Sequence, residues 1–200
     1  MPSIDTSNAA RVRSGGRPRR WTAAMAAAAS IAMVAGCSGS SDGAAKLPLG
    51  TEAVVAVVQA ATSTTPAVNT TVAVDVLDVK IGTLDELSAA GFNVDKSNAG
   101  DTPYYVDVRY TNKGTGHAIR NLGVGMEDTK RNSVPTTLVV DLGGAPFDRC
   151  KDVSKGDFPP GDTYQSCTLF LVPKGTKLDR VRFVSQSQDA TITFTDWNVK

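Results

Sequence analysis

The side chains able to do covalent or proton-transfer chemistry are few: one histidine, His117, and three cysteines, Cys37, Cys150 and Cys167, in 200 residues. A hydroxyl or thiol nucleophile needs a base beside it. His117 sits in Gly114-Thr115-Gly116-His117, which reads as a solvated loop. The carboxylate pairs Asp85-Glu86 and Glu127-Asp128 are adjacent in sequence, so on a strand their side chains point to opposite faces. Oxygen ligands for calcium are available at Asp148, Asp152, Asp157 and Asp162, but Lys151 and Lys155 lie among them and the spacing fits no ligand loop. Gly123-Val124-Gly125 lacks the strand-turn-helix setting of a dinucleotide loop. A Cys₄ zinc site, a His₃ site and a c-type haem motif are excluded by count alone. The expectation is a chain with no catalytic residue, no cofactor and no metal.

Cys37 is a different case, because of what precedes it. Arg11, Arg13, Arg17, Arg19 and Arg20 stand against a single acid, Asp5, and are followed by an uncharged, alanine-rich run from Trp21 to Gly36. At sixteen residues the run is shorter than the roughly 20 needed to span a bilayer as a helix. A basic segment followed by a short apolar one reads as a secretory signal over residues 1–36. Val34-Ala35-Gly36-Cys37 resembles the lipobox of bacterial lipoproteins, with valine in place of the usual leucine. The resemblance implies diacylglyceryl transfer to the Cys37 thiol, cleavage after Gly36 and acylation of the new amine. Each buried methylene adds about 0.8 kcal/mol, so two or three chains hold a protein at a membrane where one does not. Arg19-Arg20 resembles a twin-arginine signal, but Trp21-Thr22 lacks the apolar pair that should follow. The expected location is the outer face of the cell membrane, with release to the medium as the alternative.

Loss of residues 1–36 removes five arginines and one aspartate, leaving 16 basic and 19 acidic residues and a net charge of −3. Nucleic-acid binders carry a basic surface, so no nucleic-acid partner is expected. Residues 37–48, which include the small and polar Ser38-Gly39-Ser40-Ser41-Asp42-Gly43-Ala44-Ala45, read as a flexible tether.

The elements beyond the tether follow a period of two. Val72, Val74 and Val76 alternate with small or polar residues, after which Val79 and Ile81 take the apolar phase. That flip at Leu77 predicts a bulge in one long strand. Tyr104, Val106, Val108 and Tyr110 form one face of a second strand. Further strands are expected over 118–126, 137–142, 163–172, 178–185 and 190–198, with 60–70 a loop and only 84–90 helical. Asn112-Lys113-Gly114, Pro159-Pro160-Gly161 and Pro173-Lys174-Gly175 supply turn chemistry. The expected fold is all-β, a sandwich of about seven to nine strands.

Cys150 and Cys167 remain after Cys37 is assigned to lipid. In an oxidising compartment paired cysteines usually close, and a loop of this length would contribute about 3 kcal/mol. Cys167 shares strand parity with Leu169 and Leu171, aiming its sulfur at the core or at a covering loop. A free, reactive Cys150 is the competing reading.

Two segments carry a further resemblance. Tyr104-Tyr105-Val106-Asp107-Val108-Arg109-Tyr110-Thr111-Asn112 and Cys167-Thr168-Leu169-Phe170-Leu171-Val172-Pro173-Lys174-Gly175 are similar to signatures of immunoglobulin-like domains in actinobacterial secreted lipoproteins. The shared pattern is a strand ending in Thr-Asn-x-Gly and a later apolar strand ending in Val-Pro-x-Gly. It covers residues 49–200 and implies an immunoglobulin-like sandwich at the cell surface, with no catalytic residue to carry over. Such folds acquire function through loops and sheet edges. The expected function is a non-catalytic interaction module binding an envelope or surface ligand. The alternative is a small-ligand carrier or cryptic hydrolase with an inner pocket.

Overall fold

The computed structural model describes residues 45–60, 67–92, 94, 96–136, 147, 149–150 and 156–199. Cys37, Asp148, Asp152 and the expected strand over 137–142 lie outside them. The elements, in chain order, are β1 (Glu52–Gln59), β2 (Val68–Ile81), α1 (Leu84–Ala89), β3 (Thr102–Asn112), β4 (Ala118–Ile119), β5 (Gly125–Asp128), β6 (Ser133–Val134), β7 (Asp157–Phe158), β8 (Thr163–Val172), β9 (Leu178–Gln186) and β10 (Ile192–Asn198). One antiparallel sheet has the order β1-β2-β3-β8, a second β10-β9-β5-β6, and β4 pairs with β7. The fold is a β-sandwich. It has ten strands among the described residues, more than expected, because β4, β6 and β7 are two-residue pairings that no period can announce. No helix among the described residues is long and apolar enough to cross a membrane.

The phase flip at Leu77 is a bulge. Val76 pairs with Val108 and Asp78 with Asp107, which leaves Leu77 without an opposite residue. Val72, Val74, Val106, Val108, Tyr110 and Phe170 from the first sheet meet Met126, Val181, Phe183 and Trp197 from the second in one filled core. The Trp197 indole keeps its polar atom satisfied there, donating from Nε1 to the Thr51 carbonyl at 2.8 Å.

The run 118–126 is not one strand. It divides into β4 and β5, which belong to different sheets. The Gln59 side chain takes the place of a neighbouring strand at Ile119, accepting from its amide at 2.8 Å and donating to its carbonyl at 2.9 Å. The ladder therefore ends there, and the chain crosses to β9 through Gly123.

Thr-Asn-x-Gly has a structural explanation. The fully buried Asn112 receives hydrogen bonds at Oδ1 from Thr70 Oγ1 (2.7 Å) and the Gly114 amide (3.1 Å). Its Nδ2 donates to the carbonyls of Gly116 and Phe158, both at 2.8 Å. A Cβ on Gly114 would lie 2.2 Å from Thr70 Oγ1 and 2.6 Å from the Thr71 amide nitrogen, so no side chain fits.

The outer face of the first sheet holds a second cluster. Tyr105 and Leu169 pair across β3 and β8 and are covered by Leu87 of α1, with Phe147, Cys150 and Cys167 packed beside them. Cys150 and Cys167 are joined in a disulfide with Cα atoms 5.0 Å apart. Cys167 thus faces the covering loop, not the space between the sheets.

Candidate functional site: the β9–β10 hairpin

The described residues first considered for chemistry form no catalytic or metal-binding cluster. His117 Nδ1 lies 3.2 Å from Asp157 Oδ2, with both side chains about two-thirds exposed at 65% and 64%. Asp162 is engaged by Arg120 at 2.8 Å, which holds its carboxyl below the usual carboxylate range. Among the described residues no three metal-ligating side chains come together. Glu86 completes a capping box with Thr83 and receives Arg149 Nη1 at 2.9 Å, while Asp128 accepts from the amides of Lys130 and Asn132. Val124 is part of the core. Burial pushes the Tyr164 hydroxyl up to about 12 and Tyr110 higher still, so both phenols stay protonated at neutral pH.

What the fold does assemble is an ion network with an apolar patch beside it, on the outer face of the second sheet. Val181, Phe183 and Trp197 point inward, so Arg180, Arg182, Val184, Ile192, Phe194 and Asp196 point outward by strand alternation. Arg182 donates to Asp196 through Nε (2.7 Å) and Nη2 (2.9 Å), and to Glu127 through Nη1 (2.7 Å). Arg180 adds a bond to Asp196 at 2.7 Å and contacts Asp179, which is also bonded to Lys46. Burial pushes the Asp196 carboxyl up, but the two guanidinium groups outweigh it and hold it below the ordinary carboxylate range.

Beyond this network the sheet narrows to a ribbon. β5 begins at Gly125, opposite Arg182, so residues 183–186 of β9 are hydrogen-bonded, among the described residues, to β10 alone. The apolar side chains here are uncovered: Val184 is 54% exposed, Ile192 57% and Phe194 38%. Phe194 and Val184 are cross-strand partners, and the Arg182 guanidinium lies 4.8 Å from the Phe194 ring centroid.

The far edge of β10 is only partly closed. Leu47 donates to the Asp196 carbonyl at 2.8 Å and accepts from the Asn198 amide at 2.9 Å. Those bonds fix which way the β10 backbone faces: Asp196 and Asn198 point away from β9. By alternation Ile192 and Phe194 do too, and the inward pair Ser187–Thr191 agrees with this. The parallel pairing of Leu47 with Trp197 is a single bridge. The amides and carbonyls of Ile192 and Phe194 therefore face open space among the described residues.

No family model and no curated protein matches the chain. Among solved structures it is similar to MPT63, a secreted protein from Mycobacterium tuberculosis, at 11% identity and a TM-score of 0.47 over 80% of this chain and all of that one. It is also similar to a conserved hypothetical protein from Bacillus anthracis, at 14% identity and a TM-score of 0.40 over 74% of this chain and 97% of that one.

Beside the ribbon is a cleft of about 490 Å³, bordered by the end of β1 (Val57–Ala60), by Ile119 and Asn121–Gly123, and by residues 183–186 and Ile192, so it shares Val184 and Ile192 with the apolar patch. Its size falls within the range of small-molecule sites, about 300–1,000 Å³. Gln59 and Asn121, hydrogen-bonded at 2.5 Å, provide polar groups at its wall. Both strands of the hairpin are expected from the sequence, but its role as an exposed surface is not. In β10 the apolar residues fall on both parities, Ile192 and Phe194 on one and Trp197 on the other, a pattern that also fits a strand covered on both faces.

Proposed function

We propose that this chain is an extracytoplasmic lipoprotein, acylated at Cys37 and held at the outer face of the cell membrane. Its sandwich acts as an immunoglobulin-like, non-catalytic interaction module of the envelope. The observation that carries the module reading is the ribbon of β9 and β10, which presents Val184, Ile192 and Phe194 to solvent beside a strand edge whose hydrogen-bonding groups are free among the described residues. An exposed apolar edge is a template for another strand, and edge addition is a common mode of recognition. The surface favours no polyanion, because Arg180, Arg182 and Lys46 are each engaged by Asp179, Asp196 or Glu127. The test is capture from solubilised envelope by the exported chain, residues 37–200. Phe194→Asp should abolish capture, and Ile81→Asp, on an apolar residue more exposed still but distant in sequence and sheet, should leave it intact. Equal capture by both variants would overturn the reading.

A second reading rests on the cleft: a carrier of a small, largely apolar molecule. Leu122→Trp would fill the cleft and block such a ligand, while the outward backbone groups of Ile192 and Phe194 stay available for strand addition.

A further inference from the structure

We infer that the partner at the β10 edge is a second copy of this chain, added by antiparallel β10–β10 pairing about a two-fold axis through Thr193. The inference rests on the hairpin being the interaction surface, and it names the occupant.

The free window is short and symmetric. Leu47 occupies the edge from Asp196 onward, and the turn at Ser187–Ala190 takes the chain out of the strand before Ile192. Among the described residues two, Ile192 and Phe194, are left with backbone groups facing outward. In an antiparallel pair, outward residues must oppose outward residues to exchange both hydrogen bonds. Setting Ile192 opposite Phe194 of the second copy meets that condition twice and uses the whole window, giving four hydrogen bonds with Thr193 on the axis. Registers centred on Ile192 or Phe194 leave one of the two residues without its partner. The same geometry is isologous, as a two-fold interface requires.

Side chains and charge agree with the backbone. On the outer face Ile192 of one copy meets Phe194 of the other, and the two Val184 side chains extend the patch on either side. Aromatic–β-branched pairs of this kind are favourable across antiparallel strands. Residues 191–195 (Thr-Ile-Thr-Phe-Thr) carry no charge, so the axis brings no like charges together. Of the flanking carboxylates, Asp196 is bonded to two arginines and Asp189 accepts from the Thr191 amide of its own turn. Natural edges are usually protected by lysine, proline or a bulge, and residues 192–195 have none of these.

The experiment uses the exported chain with Cys37→Ser, so that lipid cannot drive association. Sedimentation over a concentration series should show a reversible dimer. Ile192→Pro should weaken it by more than about tenfold, or 1.4 kcal/mol. Ile192 is the first residue of its strand and its amide points away from β9, so proline there spares the internal ladder; an unchanged melting temperature will confirm that. Thr193→Cys provides a positive signature. Residues on the axis form a non-hydrogen-bonded pair with Cα atoms about 4.5 Å apart, within disulfide reach, so the variant should cross-link under mild oxidation, and Ser187→Cys should not. A chain that is monomeric at every concentration, or a dimer indifferent to Ile192→Pro, overturns the inference. A monomer whose envelope capture still depends on Phe194 retains the module reading and assigns the edge to a different protein. A monomer whose Ile192 and Phe194 amides exchange slowly assigns the edge to the chain's own upstream residues.

Discussion

Arg182 and Asp196 stand opposite each other on β9 and β10 and are joined by two parallel hydrogen bonds of 2.7 and 2.9 Å. The pair sits where the three-stranded part of the sheet gives way to the two-stranded ribbon, with Glu127 on its β5 side and Arg180 below. Bidentate pairing of this kind is strong and geometrically specific. It fixes the hairpin at its base.

Removing the carboxylate should therefore be costly. Asp196→Ala leaves Arg180 and Arg182 partly buried with one acceptor fewer each, and truncation of one partner in such a network costs about 3–5 kcal/mol. Chemical denaturation should show the loss. Asp196 titrates below its ordinary value in the folded protein, so its contribution is complete above the unfolded value of about 3.9 and fades as pH falls through the lower folded one. The difference in stability between wild type and Asp196→Asn should shrink as pH drops from 5 towards 2. A difference that grows on acidification would contradict the assignment.

Asn112 and Gly114 make a second, independent prediction. Asn112→Ala strands the hydroxyl of Thr70 and the carbonyls of Gly116 and Phe158, and each unsatisfied buried group costs about 1–3 kcal/mol. Gly114→Ala forces its new methyl against Thr70 and the Thr71 backbone, an overpacking cost of about 1–3 kcal/mol. Both variants should melt lower than wild type. Lys113→Ala, at the free position of the motif, should not.

These residues show what could be read from sequence and what could not. The valine alternation of β2, its bulge at Leu77, and the runs that became β3, β8 and β9 follow a period of two strongly enough to be placed from residue types. The division of 118–126 depends on Gln59, sixty positions away, and no local pattern carries that. Tyr105 is another case: it lies on the parity opposite the core residues of β3, yet α1 and Cys150 cover it, so both faces of the strand are buried in part. The site was least legible of all. Ile192 and Phe194 have the composition of core residues, and their exposure follows from β5 ending its pairing at Arg182.

Cys37 gives the prediction that follows from the proposed lipoprotein signal. Cys37→Ser should abolish metabolic labelling with a fatty acid and shift the chain from the membrane to the soluble fraction, or stop its processing. Normal cleavage with full membrane retention would exclude lipid at this position.

The disulfide between Cys150 and Cys167 closes a loop 17 positions long, for which restriction of the unfolded chain is worth about 3 kcal/mol. Its structural role is local. Beside it Phe147 packs edge-on to Phe92 at 5.2 Å and against Tyr105 at 5.7 Å. Arg149 lies 4.3 Å from the Tyr105 ring centroid and bonds to Glu86 and to the Ile81 carbonyl. The bridge thus holds a cover over Tyr105 and Leu169, separate from the core between the sheets. Cys150→Ser with Cys167→Ser should lower the melting temperature without unfolding the sandwich. Hydrogen exchange should locate the effect: the amides of α1 should lose protection while those of Val74, Val76, Val106 and Val108 keep it. Phe147→Ala, with the bridge intact, should loosen α1 in the same way but less. Uniform loss of protection across β2 and β3 would mean that the bridge supports the whole sandwich, and the local cover would be the wrong description.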